Sequence, residues 1–527
     1  MRAEPKTFNP LTAFDNPSLS VLDFLHADLA HLDPRSQKVQ PALAESIERS
    51  DDGRTYRLTL RPDLTFSDGQ PLAVGDVLFT FDALLNPELE APQRESLLLD
   101  GQRPTLTQTG PRSLEIRLPR PHAGGESLLE GVYIVPERAL GDAVDRGTVE
   151  DAWSLGSPPQ DISGLGPFRL REHRPGERLV LERNPFYWKR DAGGTALPYL
   201  DEIVIEFAPS PEAEVLRFEA GQADIISGLG AEAFENLSRR FGDSRQLRDL
   251  GPGLVYEFLF FNLNDVDAPT LQKKQAWFRN PAFREALSLA IDRGAIARLV
   301  YRDRATPVGG HITPANRRFH DPSIAAPATS PDDARRLLEG AGFSWVGEQL
   351  HDPSGAPVEL TLVTNSSNSR RVETATVIQA DLKRLGIALR VVPLDFGALL
   401  DRVYDTFDYE IGLLGLGRGG LDPNSSLNVW LSSGDSHLWR LNGDGPDSPW
   451  QERLDALLAE QMTELDVDRR RKLLSEIQHE VAGGAPFLFL VAPNVLVGAK
   501  EQLGNFRPVA AASSAAWNAD HLFWREP

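Results

Sequence analysis

The stretch "PALAESIERSDDGRTYRLTLRPDLTFSDGQPLAVGDVLFTFDALLNP", residues 41–87, contains a strand, a turn and a helix in one continuous run. Asp52-Gly53 is a turn signal, because glycine reaches positive φ without steric cost. "TYRLTLR" then alternates Tyr56, Leu58 and Leu60 against Arg57, Thr59 and Arg61, the two-residue period of a half-buried strand. Further on, Val77, Leu78, Phe81 and Leu84 make an apolar stripe at helical spacing, and Asn86-Pro87 stops it.

The same punctuation continues outward. "PRSLEIRLPRP" (111–121) is a short alternating strand, and "SGLGPFRLREHRPGERLVLERNPFYW" (163–188) reads as strand, Pro175-Gly176 turn, strand. "LDEIVIEFAP" (200–209) is another strand, "EAEVLRFEAGQADII" a helix ended by Gly221, and "GLVYEFLFFNLN" (253–264) a strongly apolar strand. From Asn280 the character changes to alternating helices and strands, which argues a sheet with helices on its faces. In "SPDDARRLLEGAGF", Ser330 is the N-cap, Pro331 takes the first helical position, and Gly340 or Gly342 ends the helix. No repeat and no low-complexity linker separates the parts.

A chain of 527 residues exceeds one core, so two or three domains are expected. A net charge of −21 disfavours nucleic acid and anionic membranes as partners. The absence of cysteine excludes disulfides, thiolate metal sites and a cysteine nucleophile. The opening "MRAEPKTFNP" has no basic-then-apolar export segment, and the expectation is a mature chain whose export signal has been removed. The most apolar run, residues 485–499, contains two prolines and is shorter than the ~20 residues a spanning helix requires.

Catalytic motifs fail on inspection. In "IGLLGLGRGGLDP" (411–423), Gly415, Gly417 and Gly420 match the dinucleotide spacing G-x-G-x-x-G. That fingerprint must open a helix, however, and Pro423 disfavours helical backbone at Asp422. His479-Glu480 lacks the second histidine of a zinc-protease helix, and His26 and His31 are five apart and share no helix face. Neither G-x-S-x-G nor a P-loop occurs. No cofactor or metal is expected, and the chain is not expected to be an enzyme. Arg370-Arg371 follows a strand and an Asn/Ser loop, the place where open α/β sheets put ligands. Arg402, Arg418, Trp430 and Trp439 lie in the segments that follow.

The 41–87 block, "GLGPFRLREHRPGERLVLERNPFYW", "NPAFREALSLAIDRGAI" and "RLDALLAEQMTELDVDRRRKLLSEIQHEVAGGAPFLFL" together resemble the family 5 extracellular solute-binding proteins of bacterial ABC importers. The resemblance covers almost the whole chain in order. It implies an α/β, two-lobed periplasmic-binding-protein-like (type II) fold with an extra subdomain in the first lobe. Lobe I would comprise 1–43, 165–261 and 486–527, with the extra subdomain at 44–164 and lobe II at 262–485; the hinge strands would lie near "FFNLN" and "FLFLVAPN".

By the same resemblance, the solute lies between the lobes and the partner is an ABC permease in the cytoplasmic membrane. The protein would be a periplasmic or extracellular monomer, free or lipid-anchored. Family peptide receptors carry an aspartate in the loop before the D/E-P pair, where it holds the ligand's α-ammonium. Here 417–420 has no acid, Arg418 is its one charge, and Asp422 matches the acid of the D-P pair. The implied ligand residues are Arg418, Gly417, Gly419, Asn365, Ser366, Arg370, Arg402, Trp430 and Trp439. They suit a peptide-like or other polar or anionic solute; an oligosaccharide or opine ligand, a hydrolase and a sensor subunit are the competing readings.

Overall fold

The computed structural model describes residues 1–417, 420–443 and 445–526. Its N-terminal block builds what the sequence spells out. Strands Ala44–Arg49, Thr55–Leu60, Ser113–Arg117 and Thr105–Gln108 form an antiparallel sheet in that spatial order. Gly53 makes the first turn at φ +66°. Tyr56, Leu58 and Leu60 are buried while Arg57 is exposed, as the alternation requires. Helix Val74–Leu85 covers this unit with Val74, Val77, Phe81 and Leu84; Leu78 is only partly buried and Val74 takes its place in the stripe. The Asp76 carboxylate accepts the Ala73 amide at 2.8 Å, closing the helix start.

The hairpin read at Pro175-Gly176 forms between Phe168–Arg174 and Arg178–Arg183, and Glu202–Glu206 adds a third strand. Two further sheets organise the rest. In one, Val491–Ala499 is central and pairs with Ile225–Ser227, Arg248–Pro252 and Ala305–Pro307. The other has the order Ala388–Leu394, Glu359–Asn365, Ile411–Leu416, Tyr256–Phe261, Phe487–Phe489. Its first three strands are parallel, and its last two run antiparallel to their neighbours.

Strand pairing therefore assigns Tyr256–Phe261 and Phe487–Phe489 to the second sheet. The chain passes between the sheets at 253–255 and again at Leu490. The segment Ala305–Pro307 returns to the first sheet, although it lies within 262–485. The second sheet has helices on its faces, so Tyr256–Phe261 is buried along its whole length. Phe258 and Phe487 stack with centroids 4.1 Å apart, and Phe260, Trp430 and Trp439 pack around Phe487. Helix Ser369–Arg384 connects the parallel pair Glu359–Asn365 and Ala388–Leu394, with Asn368 as its N-cap. That crossover sets residues 365–371 at the C-terminal edge of the sheet.

Candidate ligand cleft

The C-terminal ends of Glu359–Asn365 and Ile411–Leu416 meet the beginning of Tyr256–Phe261, because the last strand runs antiparallel. Three polar side chains are drawn together there. Arg371 donates from Nε to Glu257 Oε2 at 2.7 Å and from Nη1 to Asn365 Oδ1 at 3.0 Å. The Arg371 and Glu257 side chains are 13% and 6% exposed. A lone carboxylate in an otherwise apolar strand would be very costly to bury, and the guanidinium offsets that cost. The acid of "VYEFLFF" was thus a legible signal that sequence reasoning passed over: a buried charge demands a partner.

The glycines of "IGLLGLG" serve this same corner. A Cβ on Gly415 would lie 2.5 Å from Arg371 Nη2 and 2.9 Å from Glu257 Oε1. A Cβ on Gly417, at φ +140°, would sit 2.3 Å from the Leu254 carbonyl oxygen. Gly417, implied as a ligand residue, therefore lies against the chain's own crossing segment.

The other expected residues separate into groups. Asn365 is buried and bonded to Arg371, and Ser366 is exposed beside it, its amide donating to the Leu394 carbonyl at 2.7 Å. Arg370 points outward, 6.0 Å over the Tyr301 ring, so Arg371 and not Arg370 takes the inward place. Arg402 lies on the helical turn Asp401–Asp405, 3.7 Å from Asp408. Arg418 and Gly419 lie outside the described residues.

Trp430 and Trp439 correct an expectation. They are 1% and 2% exposed and belong to the core around Phe487, not to an open wall. His437 lies 3.7 Å from the Trp439 ring, and His311 lies 4.5 Å from Trp430. Burial pulls the His311 imidazole down to about 3, so it is neutral.

A second polar cluster comes from the first half of the chain, and sequence reasoning missed it. Asp23 is exposed at the surface, and partial desolvation raises its pKa. Tyr133 donates its hydroxyl to Asp23, and the Gly131 amide donates to Asp28 at 3.1 Å. His31 Nδ1 lies 3.3 Å from Asp28; desolvation lowers its pKa, but the carboxylate outweighs this and raises it. Glu130 is pushed up to about 7 by desolvation, by Asp28 and Asp23 on its own side, and by Asp422 from the second half.

The halves also touch directly. Gln37 Nε2 donates to the Ala315 carbonyl at 2.6 Å, and the Arg318 amide donates to Gln37 Oε1 at 3.2 Å. The Ala123 amide donates to the Met462 carbonyl at 2.7 Å. The two halves are thus held together at Gln37 with 315–318 and at Ala123 with Met462.

The model of the bacterial extracellular solute-binding proteins, family 5, matches residues 38–437. The chain belongs to that family. A relative from Deinococcus radiodurans, "Probable ABC transporter-binding protein", is 25% identical over 514 residues, covering 93% of this chain and 85% of the relative. The oligopeptide-binding protein AppA of Bacillus subtilis is 23% identical over 512 residues, covering 96% and 87%. Its structure with a nonapeptide superposes with a TM-score of 0.76 at 22% identity, covering 100% of this chain and 98% of AppA. NikA from Brucella suis with Fe(III)-EDTA gives 0.81 at 21% identity and 99% coverage of both chains.

Membership makes this family 5 protein a binder of solutes and not a catalyst. Its fold is the mixed α/β periplasmic-binding-protein fold, with the extra sheet of residues 44–117 added to it. No helix among the described residues is long and apolar enough to cross a membrane.

Proposed function

We propose that this protein is the extracytoplasmic receptor of an ABC importer, capturing a polar, peptide-like organic solute between its two lobes and delivering it to the permease. The observation that carries this reading is the placement of the Glu257–Arg371–Asn365 set. It stands at strand ends, beside both passages of the chain between the sheets, and in this reading Asp23, Asp28 and Glu130 of the first half supply the other wall. Ligands of open α/β sheets sit at such strand ends. One side offers acids and the other offers Asn365, Ser366 and the exposed Arg370, which together suit a solute carrying both amine and carboxyl or amide groups. The named relatives bind ligands as different as a nonapeptide and Fe(III)-EDTA on one fold, so the walls and not the fold select the solute.

The lobes move as residues 1–252 and 491–527, with the strand Ala305–Pro307 held to them, against the remainder of 256–489, and the passages at 253–255 and 490 act as hinges. A solute shifts closure only by as much as it prefers the closed state. Micromolar capture corresponds to about −8 kcal/mol. The protein acts outside the cytoplasm, free or lipid-anchored.

Native mass spectrometry of the purified protein is the test. The expected result is a released small molecule of unaltered mass, whose re-addition reduces the radius of gyration in solution scattering. Recovery of cleavage products, or a radius unmoved by the recovered molecule, overturns the proposal.

A further inference from the structure

We propose that the loop 122–125 of the extra subdomain is a closure latch on the second lobe, and that it engages only while His122 is uncharged. The inference goes beyond solute capture. It rests on the two-lobed reading, and its test needs no ligand.

The seam is built from a chain of hydrogen bonds whose direction is dictated by its first member. Arg470 can only donate. Its Nη groups hold both oxygens of Asp422 at 2.7 Å, and its Nε donates to Gln461 Oε1 at 3.1 Å. That orients the Gln461 amide, so Nε2 donates to Asn424 Oδ1 at 2.7 Å. Asn424 then presents Nδ2 to His122 Nε2 at 3.4 Å. On its other side the Gly124 amide donates to His122 Nδ1 at 3.2 Å, so both ring nitrogens face donors; the neutral ring can accept from one of them, the imidazolium from neither. A protonated His122 would set N–H groups against both the Gly124 amide and the Asn424 amide, which disfavours this contact across the seam.

The surroundings agree with this assignment. His122 is 5% exposed. Burial pulls its pKa down to about 4; Asp422 acts in the opposite sense, while Arg470 and Arg120 reinforce the fall. The Tyr56 hydroxyl approaches the His122 carbonyl oxygen at 3.5 Å and leaves the ring alone. Next to it, Ala123 donates across the seam to Met462. Gly124 lies so close that a Cβ would meet Asp422 Oδ2 at 2.9 Å and Asn424 Nδ2 at 3.3 Å. Gly124 has φ −103°, a value open to any residue, so a side chain there is excluded by the opposite lobe and not by its own backbone.

The sign of the linkage follows. A histidine whose pKa is lowered on closing binds a proton more tightly in the open form. Closure is therefore intact above about pH 6.5 and is progressively lost as pH falls toward 4. Glu130, pushed up to about 7, works in the opposite sense, so the effect of His122 must be isolated by comparison with a variant.

The chain has no cysteine, so Arg146→Cys and Lys472→Cys place two spin labels unambiguously, one on each side of the seam. Distance distributions of the full chain as purified are measured at pH 7.5 and pH 5, with and without His122→Gln. Glutamine keeps an acceptor and does not titrate. The ratio of short to long distances is expected to fall by about tenfold or more on acidification, relative to the His122→Gln protein. Gly124→Val should abolish the short distance at pH 7.5 with an unchanged melting temperature. Identical pH profiles with and without His122→Gln overturn the proposal. So does a short distance that survives Gly124→Val, or one absent from the otherwise unsubstituted chain at pH 7.5.

Discussion

Two arginine–carboxylate pairs of the second lobe share their chemistry and differ in their surroundings. Glu257–Arg371 joins a strand to a helix start within one sheet, with both partners largely out of water. Asp422–Arg470 is just as short, at 2.7 Å, but lies under the loop 122–125 of the other half. The first pair keeps its neighbours whether the lobes are open or shut. On the closure proposed above, the second would lose one side of its enclosure as they part. The same ion pair can therefore serve stability in one place and conformational choice in another, depending on which lobe supplies the surrounding atoms.

The largest effect should come from breaking the interior pair. Arg371→Ala is expected to destabilise the protein by about 3–5 kcal/mol, because Glu257 is left buried without a counter-charge. Urea unfolding followed by tryptophan fluorescence measures it. A double replacement, Glu257→Leu with Arg371→Leu, should recover much of the loss. If the single change costs nothing, the pair is not structurally decisive and the comparison collapses.

Gly417→Ala comes next. The added methyl meets the Leu254 carbonyl oxygen at a backbone conformation that disfavours side chains, and the expected loss is about 1–3 kcal/mol in the same assay. Asp422→Asn sharpens the contrast. Its loss of about 1–2 kcal/mol at pH 7 should be smaller than that of Arg371→Ala, since water reaches Arg470 once the lobes part. Although burial acts to raise it, the Asp422 carboxyl is held below the usual range by Arg470. Its contribution is therefore present above about pH 4 and disappears as pH falls through the depressed value, a step that Asp422→Asn should remove from the stability–pH curve. Arg370→Ala, on an exposed side chain, should move stability by less than about 0.5 kcal/mol and change only the affinity for the recovered solute, read by calorimetry.

Much of this was legible in the chain. The strand Thr55–Leu60, the helix Val74–Leu85, the hairpin at Pro175-Gly176 and the capped helix Pro331–Gly340 form where the spacing of apolar and turn residues puts them. The site was legible in part. Asn365 and Ser366 could be named from the family resemblance because they follow a strand in an Asn/Ser loop, a local pattern, and the fold sets them at the end of that strand. Arg371 was passed over for its neighbour, because which of two adjacent arginines turns inward depends on a glutamate 114 positions away. Trp430 and Trp439 misled because an indole suits a core and a pocket wall equally. Asp23, Asp28 and Glu130 carry no pattern at all, since acids scattered along an acidic chain acquire meaning only when the fold gathers them.

Periodicity and turn chemistry act over a few residues, and for that reason the amino-acid order alone determined the elements, the family and the exclusion of cysteine chemistry. Long-range pairing decided the rest: where the polypeptide passes between the sheets, which carboxylates become neighbours, and which loop of one half seats against the other. Those outcomes depend on desolvation and on contacts between residues hundreds of positions apart, and no local signal encodes them.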